Sequence, residues 1–290
     1  MRYFLVILCC SIAASGAAQN ILNRSLDSYQ AGKLDEAKLL IDSAMTSELY
    51  AQQSISWYLK GFIYKDLYKE NTSSRFGESA RMQAITSFNK LLEIDTLGEY
   101  EKEARQNLVF LATTYYNQAM KLTQEQQLDT AVYYYKNFEE VYVPLNDTTI
   151  SLEDSKAKFY FALGTGYVRR DALDSVSDHG HRALQAFEEV LAIDSMDKEA
   201  NYNIGVIYYN EAVSKILEID YDDADILAFG KFEDQTIDLF KKSLPYMKRA
   251  YRQDPKDKNI LEGLAGIHFG LREFEVSNKY KMELIALEDR

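Results

Sequence analysis

Cysteine is almost missing from this 290-residue chain, since both copies, Cys9 and Cys10, lie in the first ten residues. The rest of the chain therefore has no disulfide, no thiol nucleophile and no zinc–thiolate site. Proline is equally scarce, with three copies. Because proline breaks helix interiors, this scarcity favours a chain that is helical nearly throughout.

Basic residues are the minority charge. The chain has 33 Lys and Arg against 45 Asp and Glu, a formal net charge of −12. Nucleic acids and anionic membrane surfaces are bound by clustered Lys and Arg, so neither is expected as a general partner. The acidic balance is typical of a solvated surface.

Motifs that carry chemistry are also missing. The chain has no Gly-rich phosphate loop, no nucleophile elbow and no helix with two histidines at metal spacing. Of its three histidines, His268 takes the place of a packed tyrosine in the last repeat described below, so a core role is expected. We predict a protein that is not an enzyme and has no cofactor.

The first 18 residues have the pattern of a secretory signal peptide. Arg2 gives a basic start, and an apolar stretch follows that is too short to anchor a chain in a bilayer. Gly16 and Ala18 then supply the small side chains that signal peptidase requires. We expect cleavage after Ala18, which directs residues 19–290 to the periplasm or outside the cell.

Lipid attachment and membrane spanning are not expected. A lipoprotein signal needs cysteine at the cleavage point, whereas Cys10 lies too early and follows the bulky Leu8. No later stretch is long and apolar enough to cross a membrane. No linker-like segment interrupts residues 19–290, which predicts one continuous domain.

An order of large, small and aromatic residues recurs along the chain. The clearest copy has Trp57, Leu59, Gly61 and Tyr64 on a first helix, and Ala84, Phe88 and Leu91 on a second. Three further copies consist of Leu111, Ala112, Tyr115, Ala131, Tyr135 and Phe138; Leu163, Gly164, Tyr167, Ala183, Phe187 and Val190; and Ile204, Gly205, Tyr208, Ser243, Met247 and Ala250. Weaker copies flank these at 29–44 and 264–284.

This arrangement resembles the tetratricopeptide repeat (TPR) over almost all of residues 19–290. The resemblance implies an all-α, right-handed superhelical solenoid of about five to six antiparallel helix pairs. A general amphipathic bundle also has apolar residues at helical spacing, but the order of residue types across four copies favours the repeat. The segment from Lys241 to Tyr246 is similar to one in exported repeat proteins of Bacteroidetes-type bacteria, which implies a compartment and not an activity.

Packing of each pair is predicted at its small residues. Gly61 or Gly164 allows the second helix to approach closely, with Ala84 or Ala183 facing it from that helix. The aromatic residue four positions later is expected to fill the space between repeats. Replacing Gly164 by leucine should then overpack the pair.

The copies are longer than the family's repeat, and the extra residues fall at the turn inside each unit. That position places them at one edge of a solenoid, and some should lengthen the helices, as 99–124 suggests. Pro245 should kink its helix or set its start. Asp257 can cap the following helix, and Ser151 with Asp154 resembles a capping box.

The resemblance also implies where a partner would bind, because the family lines a concave face with its first helices. The matching positions are Tyr58, Phe62, Lys65, Val109, Thr113, Tyr116, Asn117, Phe161, Thr165, Arg169, Tyr202, Val206, Tyr209 and Asn210. Such aromatic and amide side chains suit a peptide or helical segment. Some of these side chains are expected to pack against a neighbouring repeat instead.

Two narrower functions are less favoured. The chaperone-type groove clamps a carboxylate with Lys and Asn, and of those positions only Lys158 matches. Repeat proteins of glycan uptake stack aromatics on sugar rings, but they are usually lipidated and carry large insertions. A protein-binding scaffold of the cell envelope is the leading hypothesis, and a glycan- or small-ligand-binding exported protein is the alternative.

One cluster has residue types that could hold a metal. It consists of Asp171, Asp174, Asp178, His179 and His181, whose carboxylates and imidazoles suit zinc or manganese. Their spacing matches no known site, so solvated loop residues are the preferred interpretation and no metal is expected. The acidic run at 220–225 lacks the residue order of a calcium loop.

Overall fold

The computed structural model describes residues 18–172, 178–218 and 226–288, and in this part the regular structure is helical without strands. The α-helices are α1 Ala18–Gln30, α2 Leu34–Ala44, α3 Glu48–Ala51, α4 Ser54–Glu70, α5 Arg75–Ile94, α6 Glu101–Gln124, α7 Leu128–Tyr142, α8 Leu152–Asp171, α9 His179–Ile193, α10 Lys198–Leu217, α11 Ile226–Gln253, α12 Lys258–Gly270 and α13 Phe274–Glu288. The all-α class is confirmed.

The chain divides into two compact units. Unit 1 consists of residues up to Asn117 together with Lys136–Asp147, and unit 2 consists of Gln118–Tyr135 and the residues from Thr148 onward. In unit 1, α1 packs on α2 and α4 on α5. In unit 2, α8 packs on α9, α10 on α11 and α12 on α13. Helices α6 and α7 each contribute residues to both units. The expectation of about five to six helix pairs is confirmed.

Glycines on first helices lie directly under a large side chain of the paired second helix. A Cβ added to Gly61 would lie 2.6 Å from Phe88 Cε1, and one added to Gly164 would lie 2.9 Å from Phe187 Cε1. Carbon atoms do not approach so closely, which explains the glycines. The expected close approach is confirmed, but an aromatic ring makes it and not the alanine four positions earlier.

Buried serines join the helices of three pairs. Ser25 Oγ donates to the Ala37 carbonyl at 2.9 Å, Ser243 Oγ to the Gly205 carbonyl at 2.6 Å, and Ser277 Oγ to the Ala265 carbonyl at 2.7 Å. Each hydroxyl would be costly to bury without such a partner. These bonds therefore fix where one helix lies along the other.

Both predicted helix caps are present. Ser151 Oγ accepts from the Asp154 backbone N–H at 3.1 Å at the start of α8. Asp257 Oδ1 accepts from the N–H groups of Asn259 at 3.0 Å and Ile260 at 3.4 Å at the start of α12. Each cap satisfies donors that the first turn of a helix leaves unpaired.

Extra residues in the long repeats lengthen helices and leave the turns short. Only residues 71–74 separate α4 from α5, and only 125–127 separate α6 from α7. The long insertion near the C-terminus continues α10 to Leu217 and begins α11 at Ile226. Pro245 lies inside α11, so of the two expected alternatives, a kink or a helix start, the helix start is excluded.

The expected signal peptide covers residues 1–18. Residues 1–17 lie outside the described part of the chain. Helix α1 begins at Ala18, the expected cleavage point. None of the described helices is both long and apolar enough to cross a membrane. The expectations of cleavage and of one continuous domain stay predictions.

Candidate functional site

Two residues predicted for the groove are buried in unit 1. Tyr58 is 6% exposed, and its ring lies 4.7 Å from that of Phe62 and 4.6 Å from that of Tyr100. Burial raises the pKa of Tyr58 to about 12. Lys65 is 8% exposed. Tyr58 packs on Tyr100 just before α6, Lys65 is bonded to Asn107 on α6, and both side chains offer a partner little surface.

Lys65 is buried, and no carboxylate of the residues that the structure describes lies within ion-pair distance of its Nζ. Its Nζ donates to Asn107 Oδ1 at 2.7 Å and lies 4.0 Å from the centroid of the Phe62 ring. Burial lowers its pKa from 10.5 to about 8. The amide oxygen and the face of the ring partly replace water around the charge. Lys65 therefore holds α4 against α6 and is not presented to solvent.

The other predicted residues of unit 1 are more open. Val109 and Thr113 are half-buried on α6, and the Thr113 hydroxyl donates to the Val109 carbonyl at 2.8 Å. Tyr116 is half-buried with its ring 5.3 Å from that of Phe138, and burial raises its pKa. Asn117 is exposed. This part of α6 therefore presents polar groups beside one aromatic edge.

In unit 2 the predicted residues lie on α8 and α10. On α8, Phe161 packs edge-on against Phe187 at 5.7 Å, and the Thr165 hydroxyl donates to the Phe161 carbonyl at 2.9 Å. Arg169, one turn further along, is exposed. The three side chains therefore change from half-buried at Phe161 and Thr165 to exposed at Arg169.

On α10 the predicted residues border an open apolar surface. Tyr202 and Val206 are half-buried and pack against the core of the last two helix pairs. Tyr209 is also half-buried, with its ring 5.7 Å from that of Phe240, and Asn210 is exposed. A Cβ on Gly266 would lie 2.6 Å from the Tyr209 hydroxyl oxygen. The glycine is therefore what allows Tyr209 to lie across α12.

An apolar cavity of about 490 Å³ adjoins Tyr209. It is lined by Tyr209, Val213, Ile216, Phe240, Ala265, Gly266, Phe269, Gly270, Arg272, Phe274 and Lys281. Several of these side chains are exposed although they are large and apolar, with Phe269 58%, Phe274 53% and Ile216 37% exposed. An exposed group of large apolar side chains typically marks an interaction surface. We call these lining residues the α10–α13 pocket.

The charges around the α10–α13 pocket are basic. Lys281 Nζ lies 5.4 Å from the centroid of the Phe269 ring, and Arg272 forms an ion pair with Glu233. The lining residues include these two cations and no carboxylate. Because Arg272 is already paired with Glu233, Lys281 provides most of the positive charge that the pocket presents.

Sequence reasoning found Tyr209 and missed the rest of the α10–α13 pocket. A signal existed for Val213 and Ile216, which lie one and two turns after Tyr209 on the same face of α10. Phe269 and Phe274 flank a turn, and their rings lie 5.5 Å apart only because the chain reverses at Arg272, where φ is 61°. Periodicity within one helix cannot reveal such a contact.

The candidate metal cluster is not assembled in the described residues. Asp174 lies outside them, Asp171 Oδ1 accepts from the Gly180 N–H at 3.0 Å, and His181 Nε2 lies 2.9 Å from Gln185 Nε2. No group of three His, Cys, Asp or Glu positioned for a metal occurs in the described part of the chain. The acidic run at 220–225 lies outside that part.

His268 is a packed residue, as expected. It is 3% exposed, its Nδ1 is hydrogen-bonded to Glu273, and its ring stacks on Tyr280 at 5.6 Å. These contacts join α12, the following turn and α13. His268 therefore acts as part of the core of the last helix pair.

No family model and no curated protein matches the chain. Among similar solved structures, an IFIT1 monomeric mutant with Gppp-AAAA is 10% identical over 92% of this chain, with a TM-score of 0.40; this chain spans 50% of that one. Pseudomonas aeruginosa PilF is 11% identical over 93% of this chain and 91% of its own, with a TM-score of 0.39. YrrB, a TPR protein with an unusual peptide-binding site, is 18% identical over 84% of this chain and 90% of its own, with a TM-score of 0.28.

The fold assignment follows from the geometry of the helix pairs themselves. Successive antiparallel pairs repeat one residue order, with a glycine on the first helix and a large side chain of the second packed on it at Gly61, Gly164 and Gly205. Asp257 begins a new helix directly after the Asp254–Pro255 end of the previous one. This chain has an all-α helical-repeat fold of the tetratricopeptide type.

Proposed function

We propose that this protein is a non-enzymatic scaffold of the bacterial cell envelope that binds a peptide or helical segment of another protein. The α10–α13 pocket is the observation that carries this proposal. A cavity of about 490 Å³ has room for one or two large apolar side chains. The expected signal peptide supports an envelope location, periplasmic or secreted.

The pocket suits a partner that inserts an aromatic or branched aliphatic residue. Phe269 and Phe274 form one wall, and Tyr209 and Phe240 form another. Rigid aromatic side chains lose little entropy on binding and provide most of the energy at such interfaces. Burying more than half of the Phe269 ring, which is 58% exposed, would add a favourable apolar contribution.

Affinity capture from a cell-envelope extract tests this function. The tagged protein is compared with a Tyr209→Ala, Phe269→Ala double variant, and captured proteins are identified by mass spectrometry. We expect a dominant protein partner with the unmodified chain and its loss with the double variant. A double variant with Tyr116→Ala and Tyr209→Ala extends the test to the groove positions of unit 1.

A matched control removes exposed apolar side chains elsewhere in unit 2. Tyr133→Ala and Ile193→Ala serve this purpose, because both side chains are exposed and neither lines the pocket. The control should capture the partner normally. Equal capture by all variants would place binding elsewhere on the chain. A folded bait with no protein partner would contradict the scaffold and direct the work to a glycan array.

The envelope location has a separate test. The chain is expressed in its native host, the cells are fractionated, and the first residue of the purified protein is determined. We expect an N-terminus at Gln19 in the periplasmic or external fraction. An intact Met1 in the cytoplasmic fraction would contradict export without affecting the binding test.

A further inference from the structure

A second surface, on the outer side of α11, carries an unusual concentration of positive charge. Between positions 241 and 252 the chain has five basic residues and no acidic one. These residues, which we call the basic face, are Lys241, Lys242, Lys248, Arg249 and Arg252. Four of them are exposed and Arg249 is half-buried. Such a surface is unexpected in a chain with a net charge of −12.

The basic face is largely unneutralised. Lys241 Nζ lies 3.8 Å from Asp238 Oδ1, a weak exposed pair. Lys242, Lys248, Arg249 and Arg252 form no ion pair with a carboxylate of residues 18–172, 178–218 or 226–288. Elsewhere, exposed lysines such as Lys69 and Lys90 do lie within ion-pair distance of a carboxylate.

Arg249 is held in position before any ligand arrives. Its Nε donates at 2.7 Å to Oδ1 of Asn201, which is fully buried. Its guanidinium carbon lies 4.5 Å from the centroid of the Tyr246 ring. The two terminal nitrogens of this guanidinium remain available to donate to a carboxylate in the bidentate geometry that arginine favours. An ordered cation loses less entropy on binding than a mobile one.

The helix dipole explains the position of only one of these basic residues. Cations near the C-terminus of a helix interact favourably with the helix dipole, but the effect is confined to the last turn. In α11 that turn contains Arg252. Lys241, Lys242 and Lys248 lie further from the helix end and gain nothing from it. Their arrangement on one face therefore needs another explanation.

We propose that the basic face is a docking surface for an acidic segment of another protein, separate from the α10–α13 pocket. The charge of the face is complementary to a row of carboxylates. From Lys241 to Arg252 the face extends about 16 Å along α11, at 1.5 Å per residue. That length matches about three turns of a helix with glutamate or aspartate at every third or fourth position.

Two other anionic partners fit less well. Membrane-bound helices insert bulky apolar side chains, whereas the exposed residues from 241 to 252 are four cations and Pro245, with no bulky apolar group among them. A nucleic acid extends well beyond 16 Å and would meet the repulsion of the chain's net charge of −12. A short acidic protein segment meets only the basic face.

Fluorescence anisotropy with a labelled helical peptide that has glutamate at every third or fourth position and alanine elsewhere tests the proposal. The purified protein is compared with a variant that carries Lys241→Glu, Lys248→Glu and Arg252→Glu. We expect salt-dependent binding by the unmodified protein and about tenfold or weaker affinity in the variant, since three favourable pairs become repulsive. The melting temperature should fall only slightly, because all three side chains are exposed and Arg252 alone of the three lies in the last turn of α11, where a cation is favourable.

The matched control reverses the same number of charges elsewhere. Lys69→Glu, Lys90→Glu and Lys121→Glu change the net charge equally, and each of these lysines already lies near a carboxylate. This control should lose little affinity. Equal losses in both variants, or no peptide binding at low ionic strength, would overturn the proposal. Binding to phosphatidylserine vesicles or to an oligonucleotide but not to the peptide would also overturn it.

Discussion

The ring of Phe187 occupies the space that a side chain on Gly164 would need. A Cβ built on Gly164 would lie 2.9 Å from both Cε1 and Cζ of that ring. Phe187 is fully buried between α8 and α9 and has no room to move away. The same relationship joins Gly61 to Phe88, so it is a rule of the repeat and not a local accident.

Gly164→Leu should therefore destabilise the protein. Overpacking of a filled core costs about 1–3 kcal/mol, because neighbouring side chains and backbone must shift. Denaturant unfolding followed by circular dichroism measures the free energy of unfolding. We expect a lower midpoint for the variant.

Gly230→Ala is the matched control for this substitution. Gly230 is also helical, but a Cβ added there meets nothing within 4 Å. Alanine is favoured over glycine in a helix by about 1 kcal/mol, so this variant should be as stable as the parent or more so. If both glycine variants behaved alike, the packing of Phe187 on Gly164 would not be what requires glycine.

Ser243→Ala should weaken the contact between α10 and α11. The hydroxyl is fully buried, and its bond to the Gly205 carbonyl is lost without a replacement. A hydrogen bond of this kind contributes about 1 kcal/mol to the free energy of unfolding. Ser214→Ala, at an exposed position of α10, should change stability by much less. Equal effects would mean that helix propensity, and not the buried bond, decides the result.

Lys65 should make stability depend on pH in the alkaline range. Its pKa is lowered to about 8 in the folded chain, compared with 10.5 when solvated. Between these values the unfolded chain binds more protons than the folded chain, so the free energy of unfolding rises with pH. The slope for one full proton is about 1.4 kcal/mol per pH unit.

Unfolding measured at several pH values from 8 towards 10 checks this prediction, with Lys65→Met as the comparison. The variant keeps the length of the side chain and lacks the titrating group, so the difference between the two curves isolates Lys65. We expect that difference to change steadily with pH. Parallel curves would show that Lys65 is solvated in the folded chain.

Ser151→Ala should destabilise the start of α8. Ser151 Oγ accepts the Asp154 N–H, one of the donors that the helix cannot satisfy itself. Loss of such a cap costs about 1 kcal/mol. The expected readout is a lower unfolding midpoint, and Ser151→Asp should restore it because aspartate also caps helices. A variant with alanine that unfolds like the parent would mean that water replaces the cap.

Much of the local structure could be predicted from single helices. The scarcity of proline and the caps at Ser151 and Asp257 act within a few residues, so local rules of helix propensity and capping sufficed to predict helices and their starts. The pairing of helices was implied by the recurring order of Gly61, Tyr64, Ala84 and Phe88, which resembles the tetratricopeptide repeat. The lengthening of α6 was likewise predicted from its own pattern.

The exposure of individual groove residues could not be predicted in this way. Tyr58 and Tyr202 occupy equivalent positions on first helices, three residues before Gly61 and Gly205, yet Tyr58 is 6% exposed and Tyr202 is half-buried. The difference comes from Tyr100, which is far from Tyr58 in the sequence but covers it in the fold, with the two ring centroids 4.6 Å apart. Lys65 is buried for the same kind of reason, through Asn107.

The sequence by itself determined that this chain is helical and paired, which residues are small at the helix contacts, and where helices begin. Helix formation and helix starts depend on neighbours within a turn or two of one helix, whereas the pairing and its small residues were implied by an order of residue types that resembles the tetratricopeptide repeat. Only the tertiary structure decided that rings pack on the glycines, that Lys65 is buried, and that Phe269, Phe274 and Tyr209 enclose one pocket. These properties depend on which distant side chains fill the remaining space, and periodicity along one helix carries no information about that.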